Sequence, residues 1–269
     1  MPSYVVTGAA RGIGFGFLKK LSEDPNNTVF GLVRKLSTST DAKELASKRP
    51  NVHILQADIV DDKALAAAAE EVAKVTGGSL DVLINNAGVQ DLGYLNADID
   101  GFPNFETLKK DLFATLEVNV YGVMITILTF IPLLKKSSIK KVVTLSSAMC
   151  DLDFINGTGM TTSVSYSISK GAVNVAMAKF AAKFKDDGII FLSICPGLTS
   201  TGATSAESLT PEEWAVIKKQ IACAQKLYPH FQQPHSVEYS IDKQLEVINS
   251  WTLDKSGGYV SHKGNKEWL

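Results

Sequence analysis

The chain has 269 residues, of which 45% are hydrophobic and 20% charged, and its formal net charge is −1 at pH 7. This composition is typical of a soluble globular protein with one large or two small domains, and the balanced charge excludes the basic surface that nucleic-acid binding needs. The three cysteines are far apart and the four histidines lack metal-ligand spacing. We therefore expect no disulfide framework, no metal site and a reducing, cytoplasmic location.

The start of the chain and its most apolar stretch bear on secretion and membrane insertion. A strand-like run begins at Tyr4, which leaves no room for a signal peptide. The most apolar stretch, 118–134, is shorter than the roughly 20 residues that span a bilayer, and it contains Asn119 and Pro132. We expect a helix buried by protein, with neither a membrane nor a nucleic acid as partner.

Short apolar runs alternate with helical patterns along almost the whole chain. The runs that predict buried strands are 5–7, 28–33, 52–56, 82–84, 141–145 and 189–194. The patterns that predict helices are 14–22, 61–75, 108–134 and 165–183. Because strand–helix–strand repeats need crossover connections, this order predicts an α/β fold: a Rossmann-type, doubly wound parallel sheet with helices on both faces.

One domain is expected to cover 1–269, because no shift in composition marks a boundary. Between 201 and 235 polar residues mix with aromatic ones, which indicates an insertion over one end of the sheet, a candidate substrate lid. The helical segments at 121–134 and 172–182 are apolar over most of their circumference. This pattern favours a subunit interface in a homodimer or homotetramer, with a larger monomeric core as the alternative.

A glycine-rich turn follows the first predicted strand and leads directly into the first helix. It contains Gly8, Arg11, Gly12, Ile13 and Gly14. Glycines in this context permit a tight turn and a close approach of the backbone to a phosphate, while the helix N-terminus offers free N–H groups. The turn therefore predicts a dinucleotide-binding site.

The end of the second strand bears on the choice of dinucleotide. It carries Arg34 and Lys35, with no acidic residue before Asp41, and Arg11 in the glycine turn is placed to reach the same region. An acidic residue there would bind the ribose hydroxyls of NADH, whereas basic residues suit the extra phosphate of NADPH. NADPH is therefore the expected cofactor; the alternative is that both cations merely solvate the strand end.

Polar residues also follow the third and fourth strands. After the third strand, Asp58 precedes Ile59, and its carboxylate is expected either to accept a hydrogen bond from the adenine amino group or to cap the helix that begins near Asp61. Amides and a glycine after the fourth strand would satisfy neighbouring backbone groups and let a dinucleotide pass close by. These residues are Asn85, Asn86, Ala87 and Gly88.

Tyr166 and Lys170 are four residues apart in a predicted helix, so their side chains share one face. An ammonium beside a phenol favours the phenolate, which lowers the tyrosine pKa and makes the hydroxyl a usable acid or base. The ordinary alternative is a pair of surface neighbours. Upstream, Ser146 and Ser147 end an apolar strand-like run.

These motifs together resemble those of the classical short-chain dehydrogenase/reductases, in their order and approximate spacing over nearly the whole chain. Within that family, the glycine turn and the ending 258–268 are most similar to the carbonyl-reductase-like branch that includes sniffer and C-factor proteins. The segments that carry the resemblance are 7–14, 85–88, Asn119, Ser146–Ser147, 166–170 and Pro196–Gly197.

The resemblance implies a role for each matched residue. Tyr166 would exchange a proton with the substrate oxygen, Lys170 would hold the nicotinamide ribose and lower the tyrosine pKa, and Ser147 would hydrogen-bond the carbonyl. Asn119 would anchor a water that links the lysine to solvent. Because the loop between Ser147 and Tyr166 is longer than the commonest family spacing, Ser146 is an alternative carrier of the serine role. The turn beside the nicotinamide would comprise Pro196, Gly197, Thr199 and Thr201.

The resemblance thus implies an NADPH-dependent reductase of ketones or aldehydes. The expected pocket residues, which favour a fairly large apolar or aromatic carbonyl, are Met149, Phe154, Met160, Leu198, Trp214 and Phe231. Two alternatives stay open at this point. One is an alcohol dehydrogenase that works in the oxidative direction, and the other is a regulatory protein that senses NADPH without turnover.

Overall fold

A parallel sheet of seven strands, in the order β3-β2-β1-β4-β5-β6-β7, forms the centre of the fold. The computed structural model describes residues 1–90, 93–201 and 211–269, with side chains 211–213, 215 and 216 left undescribed. Strand order reverses between β1 and β4, so ligands are expected to bind at the carboxyl ends of these strands. The strands are β1 (Ser3–Thr7), β2 (Thr28–Val33), β3 (Val52–Gln56), β4 (Val82–Asn85), β5 (Lys141–Leu145), β6 (Ile190–Cys195) and β7 (Gly258–Ser261).

Helices cover both faces of the sheet, which explains why the strands are almost continuously apolar. Val5 of β1 lies in one core cluster with α3, α5 and α7, while the next residue, Val6, lies in the opposite cluster with α1 and α9. Alternate side chains of a strand point to opposite faces, so both must be buried. The helices within the described residues are α1 (Gly12–Leu21), α2 (Thr40–Lys48), α3 (Asp62–Thr76), α4 (Phe105–Leu116), α5 (Val123–Leu134), α6 (Leu152–Thr158), α7 (Val164–Lys183), α8 (Pro211–Ala224) and α9 (Val237–Ser250).

The predicted doubly wound α/β fold is confirmed, and the six predicted strands lie within two residues of β1 to β6. Strand β7 and helices α2, α8 and α9 were not predicted. The expectation of a long loop between Ser147 and Tyr166 is wrong in part, because this segment contains α6. Signals for this helix are present in the sequence: the Asp151 carboxylate accepts from the Phe154 N–H, and Gly159 ends the helix in the left-handed region at φ +65°.

The predicted helix 108–134 begins earlier and is not uniform. The Asn104 side chain accepts a hydrogen bond from the Thr107 N–H and starts α4, and a π-helical turn, Glu117–Gly122, separates α4 from α5. Among the described residues, the span Phe105–Leu134 has the length and composition of a membrane-crossing helix, and 44% of its most apolar window is buried in the fold. Its inward face packs on the sheet, as expected of a helix buried by protein.

The two ends of the proposed lid segment are hydrogen-bonded to each other. His235 N–H donates to the Leu198 carbonyl at 2.8 Å, and Ser200 N–H donates to the His235 carbonyl at 2.8 Å. Residues 202–210 lie outside the described part, and the remainder contains α8. The far end of this segment packs in a third apolar cluster, in which Phe231 and the C-terminal Trp268 are buried. Its action as a lid stays a prediction.

Candidate active site

The carboxyl ends of β1 and β4 are tied together by hydrogen bonds. The Thr7 hydroxyl accepts from the backbone N–H groups of Asn86 and Ala87, at 3.1 and 3.0 Å. In return, the Asn86 amide donates to the carbonyls of Thr7 and Gly8, at 2.9 and 3.1 Å. The predicted turn after the fourth strand therefore satisfies the backbone of its neighbour, as expected from the sequence.

Two glycines are required by this arrangement. Gly8 has φ +66°, and a Cβ there would lie 2.8 Å from the Cα of Ala87. A Cβ at Gly14 would lie 2.4 Å from both the Asn86 amide nitrogen and the Gly8 carbonyl oxygen. The first turn of α1, which includes Gly12 and Ile13, carries no side-chain cap at its N-terminus. Its N–H groups and dipole therefore face the turn as a site for an anion.

Basic side chains surround the glycine turn and the end of β2. Arg11, Arg34 and Lys35 are exposed, and none forms an ion pair with an acidic side chain in the described parts of the chain. The Lys35 carbonyl accepts from the Ser39 hydroxyl at 2.8 Å, so the backbone after β2 is held in a turn. The cofactor contacts of these cations stay predictions.

The two possible roles of Asp58 are now distinguishable. Asp61, rather than Asp58, caps α3: its carboxylate accepts from the Lys63 and Ala64 N–H groups. Among the described residues, the Asp58 carboxylate accepts from the Val60 N–H, at 3.3 Å, and its contact with an adenine amino group stays a prediction. The neighbouring Ile59 is buried, and its side chain packs against the π-helical turn at Gly122.

Asn119 lies fully buried in the π-helical turn, a rare conformation that often occurs at functional sites. Its side chain binds the backbone of Val89 on both sides, accepting from the N–H and donating to the carbonyl at 2.8 Å each. It also donates to the Ser169 hydroxyl at 3.0 Å, which in turn donates to the Tyr166 carbonyl at 2.7 Å. Asn119 therefore connects the loop after β4 to α7, and its predicted water contact stays a prediction.

Lys170 is buried, with 5% of its surface exposed. Its ammonium donates to the Leu145 carbonyl at the end of β5, at 2.7 Å. Burial lowers the pKa of Lys170 to about 8. The loop after β4 approaches closely because Gly88 has no side chain: a Cβ there would lie 3.0 Å from the Asn119 amide oxygen and 3.6 Å from the Lys170 nitrogen. The remaining ammonium protons are available to hydroxyl groups of a ligand.

The helical spacing of Tyr166 and Lys170 is confirmed in α7, where the lysine nitrogen lies 5.6 Å from the centroid of the tyrosine ring. The expected lowering of the tyrosine pKa is wrong. Burial raises the pKa of Tyr166 above its ordinary value, and a hydrogen bond with the Ser147 side chain opposes this shift only in part. The Lys170 ammonium lies over the ring, and burial favours the protonated form of the phenol.

Of the two serines, Ser147 reaches the tyrosine. It has extended backbone angles, φ −156° and ψ 141°, and its hydroxyl also accepts from the Met149 N–H at 3.3 Å. Ser146 is buried, and its hydroxyl lies 3.7 Å from the Cys150 sulfur. The contacts therefore favour Ser147 for the predicted role and do not favour the alternative.

The turn after β6 has the shape that the sequence predicts. Gly197, which follows Pro196, has φ +75°, and a Cβ there would lie 2.9 Å from the His262 ring. Thr199 is buried, and its hydroxyl donates to the Pro196 carbonyl at 3.2 Å. Thr201 lies next to the glycine turn, because a Cβ at Gly12 would be 3.4 Å from the Thr201 methyl group. Thr201 is thus near the predicted phosphate site.

The site can be compared with known proteins. The family profile described as short chain dehydrogenase matches residues 3–212, or most of the chain. Similar proteins include the short-chain dehydrogenase/reductase AacuF of Aspergillus aculeatus, 42% identical, and the short chain dehydrogenase virK of Hypocrea virens, 40% identical, with 100% of both chains covered in each case. This chain belongs to the short-chain dehydrogenase family.

Solved structures agree with this assignment. The NADPH-bound carbonyl reductase from chicken fatty liver matches the dehydrogenase with a TM-score of 0.79 and 25% identity, over 98% of each chain. Carbonyl reductase Sniffer of D. melanogaster shares the fold, with a TM-score of 0.79 and 22% identity over 98% of each chain. The dehydrogenase is therefore placed in the carbonyl-reductase-like branch.

Four of the six expected pocket residues of the dehydrogenase lie in or against the third apolar cluster. Phe154 and Phe231 are buried in the third apolar cluster, with Leu198 packed against it, so they support the pocket wall from behind. Met160 lines a cavity of about 270 Å³ between the loop after β4, the segment before α7 and α8. The residues that line this cavity are Asn96, Gly159, Met160, Thr161, Thr162, Lys219, Gln220 and Cys223.

Several side chains next to the site were not predicted from the sequence. The Cys195 sulfur accepts from the Ala148 N–H at 3.2 Å, and burial raises the pKa of this thiol to about 11. Tyr259 of β7 contacts the Ser147 carbonyl, and His262 lies under Gly197. No local motif marks Tyr259 or His262, because only the pairing of β7 with β6 brings the end of the chain to this place.

Acid sensitivity is predicted for the fold around His262. This side chain is fully buried, neither ring nitrogen has a hydrogen-bond partner in the described structure, and burial, assisted by His235, Lys263 and Lys243, lowers its pKa to about 4. An unfolded histidine titrates near 6.5. Between about pH 6.5 and 4 the unfolded chain therefore binds more protons than the folded chain, and stability falls as the pH falls.

We expect His262→Gln to flatten this dependence. The measurement is the free energy of urea unfolding at several pH values between 7 and 4.5, compared with the wild type. The control is His230→Gln at an exposed site, which should keep the wild-type slope. Equal slopes for His262→Gln and the wild type would contradict the assignment of this titration to His262.

Proposed function

We propose that this dehydrogenase is an NADPH-dependent reductase that converts a ketone or aldehyde, with a fairly large apolar or aromatic body, to the alcohol. One observation carries the proposal. The hydroxyl of Tyr166 hydrogen-bonds Ser147 at the end of β5, on the same helix as the buried Lys170, beside a loop that Gly88 allows to approach closely. These groups come from different elements and converge at the carboxyl edge of the sheet.

The residues present fit a nicotinamide dinucleotide. The glycine turn leaves no room for a Cβ at Gly8 or Gly14, and the uncapped N-terminus of α1 suits a pyrophosphate. The exposed Arg11, Arg34 and Lys35 suit a further phosphate, which supports NADPH over NADH. The NADPH-bound carbonyl reductase from chicken is consistent with this choice. When bound, the cofactor supplies the hydride that reduces the carbonyl carbon.

Side chains of the protein would hydrogen-bond and protonate the carbonyl oxygen of the substrate. The Ser147 hydroxyl would donate a hydrogen bond to the carbonyl oxygen and stabilise the negative charge that develops there. Tyr166 would donate its proton to that oxygen, and the tyrosinate would then regain a proton from solvent. The Lys170 ammonium would bind ribose hydroxyls and stabilise the tyrosinate by its charge.

Reduction is the direction that we propose. Burial raises the pKa of the Tyr166 phenol, which favours the protonated form that reduction consumes. Oxidation of an alcohol would instead need the phenolate as a base. The chemistry itself stays reversible.

We place the body of the substrate in the cavity of about 270 Å³ that Thr162, four residues before Tyr166, helps to line. Met160 supplies an apolar wall, and the amide of Asn96 and the Thr162 hydroxyl supply groups that would orient a substrate.

The three free cysteines support a reducing, cytoplasmic location as part of the same proposal.

Association into a homodimer or homotetramer is also proposed. The outer sides of α4, α5 and α7 form an apolar surface, here called the α4–α7 face, on which Phe113, Leu128 and Val175 are each at least 53% exposed. Tyr121 on the intervening π-helical turn is 50% exposed. An apolar surface that extends over several helices is typical of a subunit interface.

Turnover and the role of Tyr166 are tested by following NADPH absorbance with a panel of aromatic and aliphatic ketones. We expect turnover by the wild type and a loss of about 100-fold or more in Tyr166→Phe, with NADPH binding retained, because general acid catalysis contributes about that much. The control is Tyr121→Phe, which removes an exposed hydroxyl. Equal turnover by Tyr166→Phe would remove this residue as the acid, and NADPH binding without any turnover would favour the sensor.

Cofactor preference is tested with the double variant Arg34→Ala, Lys35→Ala. We expect its Kd for NADPH to rise about tenfold, equivalent to about 1.4 kcal/mol, with little change for NADH, because only NADPH carries the extra phosphate. The matched control is Lys109→Ala, Lys110→Ala, a pair of adjacent exposed lysines on α4. An unchanged preference in titrations with both cofactors would mean that these cations do not bind the phosphate.

The subunit interface is tested with Leu128→Glu combined with Val175→Glu. Carboxylates on the α4–α7 face should oppose burial of that surface and shift the protein to the monomer in sedimentation velocity. The control is Leu253→Glu, an exposed leucine outside this face. An unchanged oligomer in the double variant would exclude the α4–α7 face as the interface.

A further inference from the structure

We propose that Tyr259 is a positioning residue for the reaction: its phenol holds the Ser147 carbonyl and so fixes the serine hydroxyl against Tyr166. This inference rests on the proposed function and adds a residue from the end of the chain. Tyr259 does not touch the reacting groups itself. It acts through the backbone of Ser147, and its role is therefore distinct from those of Ser147, Tyr166 and Lys170.

The Ser147 carbonyl is bound by two side chains. The Tyr259 hydroxyl donates to it in a short hydrogen bond, and the Cys150 thiol donates to it at 3.0 Å. Burial raises the pKa of Tyr259 well above its ordinary value, so the phenol remains a donor wherever the protein is folded. With its carbonyl held and its backbone extended, Ser147 presents its hydroxyl to Tyr166.

The segment of chain between Ser147 and Tyr166 does not by itself fix the distance between their side chains. Helix α6 and its flanking turns lie between Ser147 and Tyr166, so small displacements of that segment would change their separation. Rigid sheet pairing restrains Ser147 instead. The preceding Ser146 N–H donates to the Ile194 carbonyl of β6 at 2.8 Å, and Tyr259 is placed opposite Ser193 by the pairing of β7 with β6. Sites supported by sheet strands hold their geometry better than sites supported by loops.

The end of the chain holds the Tyr259 ring in place. The ring stacks on Trp268, with centroids 4.7 Å apart and planes at 27°. The Lys266 nitrogen lies 4.3 Å from the Tyr259 centroid and pairs with the Asp151 carboxylate at 3.3 Å. The Trp268 N–H donates to the Tyr228 hydroxyl at 3.2 Å. Stacking therefore holds the Tyr259 ring in the position from which its hydroxyl donates to the Ser147 carbonyl.

The test variant is Tyr259→Phe, which keeps the stacking ring and removes only the donor. Its matched control is Tyr4→Phe, which removes a phenol near the start of β1, at the opposite end of the strands from Ser147. We expect the first variant to lose about tenfold in kcat with KM for NADPH unchanged, and the control to keep its kcat. Thermal unfolding of each variant verifies that both are folded.

The pH profile separates positioning from a general loss of structure. The Ser147 hydrogen bond lowers the Tyr166 pKa, so a loosened serine should let that pKa rise further. We expect the basic limb of the kcat profile for carbonyl reduction to move to higher pH in Tyr259→Phe and to stay in place in Tyr4→Phe. An unchanged kcat and an unchanged profile would overturn the inference.

A measurement without turnover separates this inference from the proposed function. Hydrogen exchange of the backbone amides at 147–151 should be at least threefold faster in Tyr259→Phe than in the wild type or in Tyr4→Phe. If the wild type reduces no ketone, the proposed function fails, and the exchange result still decides whether Tyr259 holds Ser147. Should Tyr259→Phe not fold, Cys150→Ala removes the second donor, and we expect a two- to threefold rise in exchange; no rise would overturn the inference.

Discussion

The burial of a lysine ammonium without a carboxylate partner in the described structure is the constraint on which the active site depends. An isolated cation in a protein interior is strongly unfavourable unless hydrogen bonds replace its hydration. Lys170 has one such bond, to the Leu145 carbonyl. The ammonium group has further N–H donors and lies near Gly88 at the edge of the sheet. A ligand with hydroxyl groups would accept hydrogen bonds from these donors. The site is thereby organised for a ligand that brings its own acceptors.

This constraint also sets the proton chemistry. Burial shifts the Lys170 and Tyr166 pKa values in opposite directions, because it disfavours the charged form of each: the ammonium of one and the phenolate of the other. The phenol therefore keeps its proton until a negative charge develops next to it on a substrate oxygen. At that moment Ser147 and Lys170 both favour the phenolate. A protonated tyrosine in the resting protein is thus compatible with a tyrosine that gives up its proton during reduction.

Sequence patterns predicted the features of the fold and the site that depend on local residue spacing or on the order of strands and helices. The glycine turn, the four-residue spacing of Tyr166 and Lys170 and the alternation of strands with helices belong to this class, and they gave the correct fold. What they could not predict depends on contacts between distant segments. The raised Tyr166 pKa follows from burial, and Tyr259 reaches Ser147 across two strand pairings. Helix α6 was not predicted because its segment is polar and contains glycines, although the sequence contains its capping residues, Asp151 and Gly159.

The substrate side of the molecule is packed separately from the cofactor side. Two large clusters bury the faces of the sheet and hold the glycine turn and α7, whereas the third joins Phe154 of α6, Phe231 of the proposed lid and the C-terminal Trp268. Ala148, the residue after Ser147, is also a buried member of the third cluster. The Tyr259 phenol adds a hydrogen bond from the same region to the Ser147 carbonyl. The packing of the third cluster is therefore coupled to the position of Ser147 both through the adjacent Ala148 and through the Tyr259 phenol.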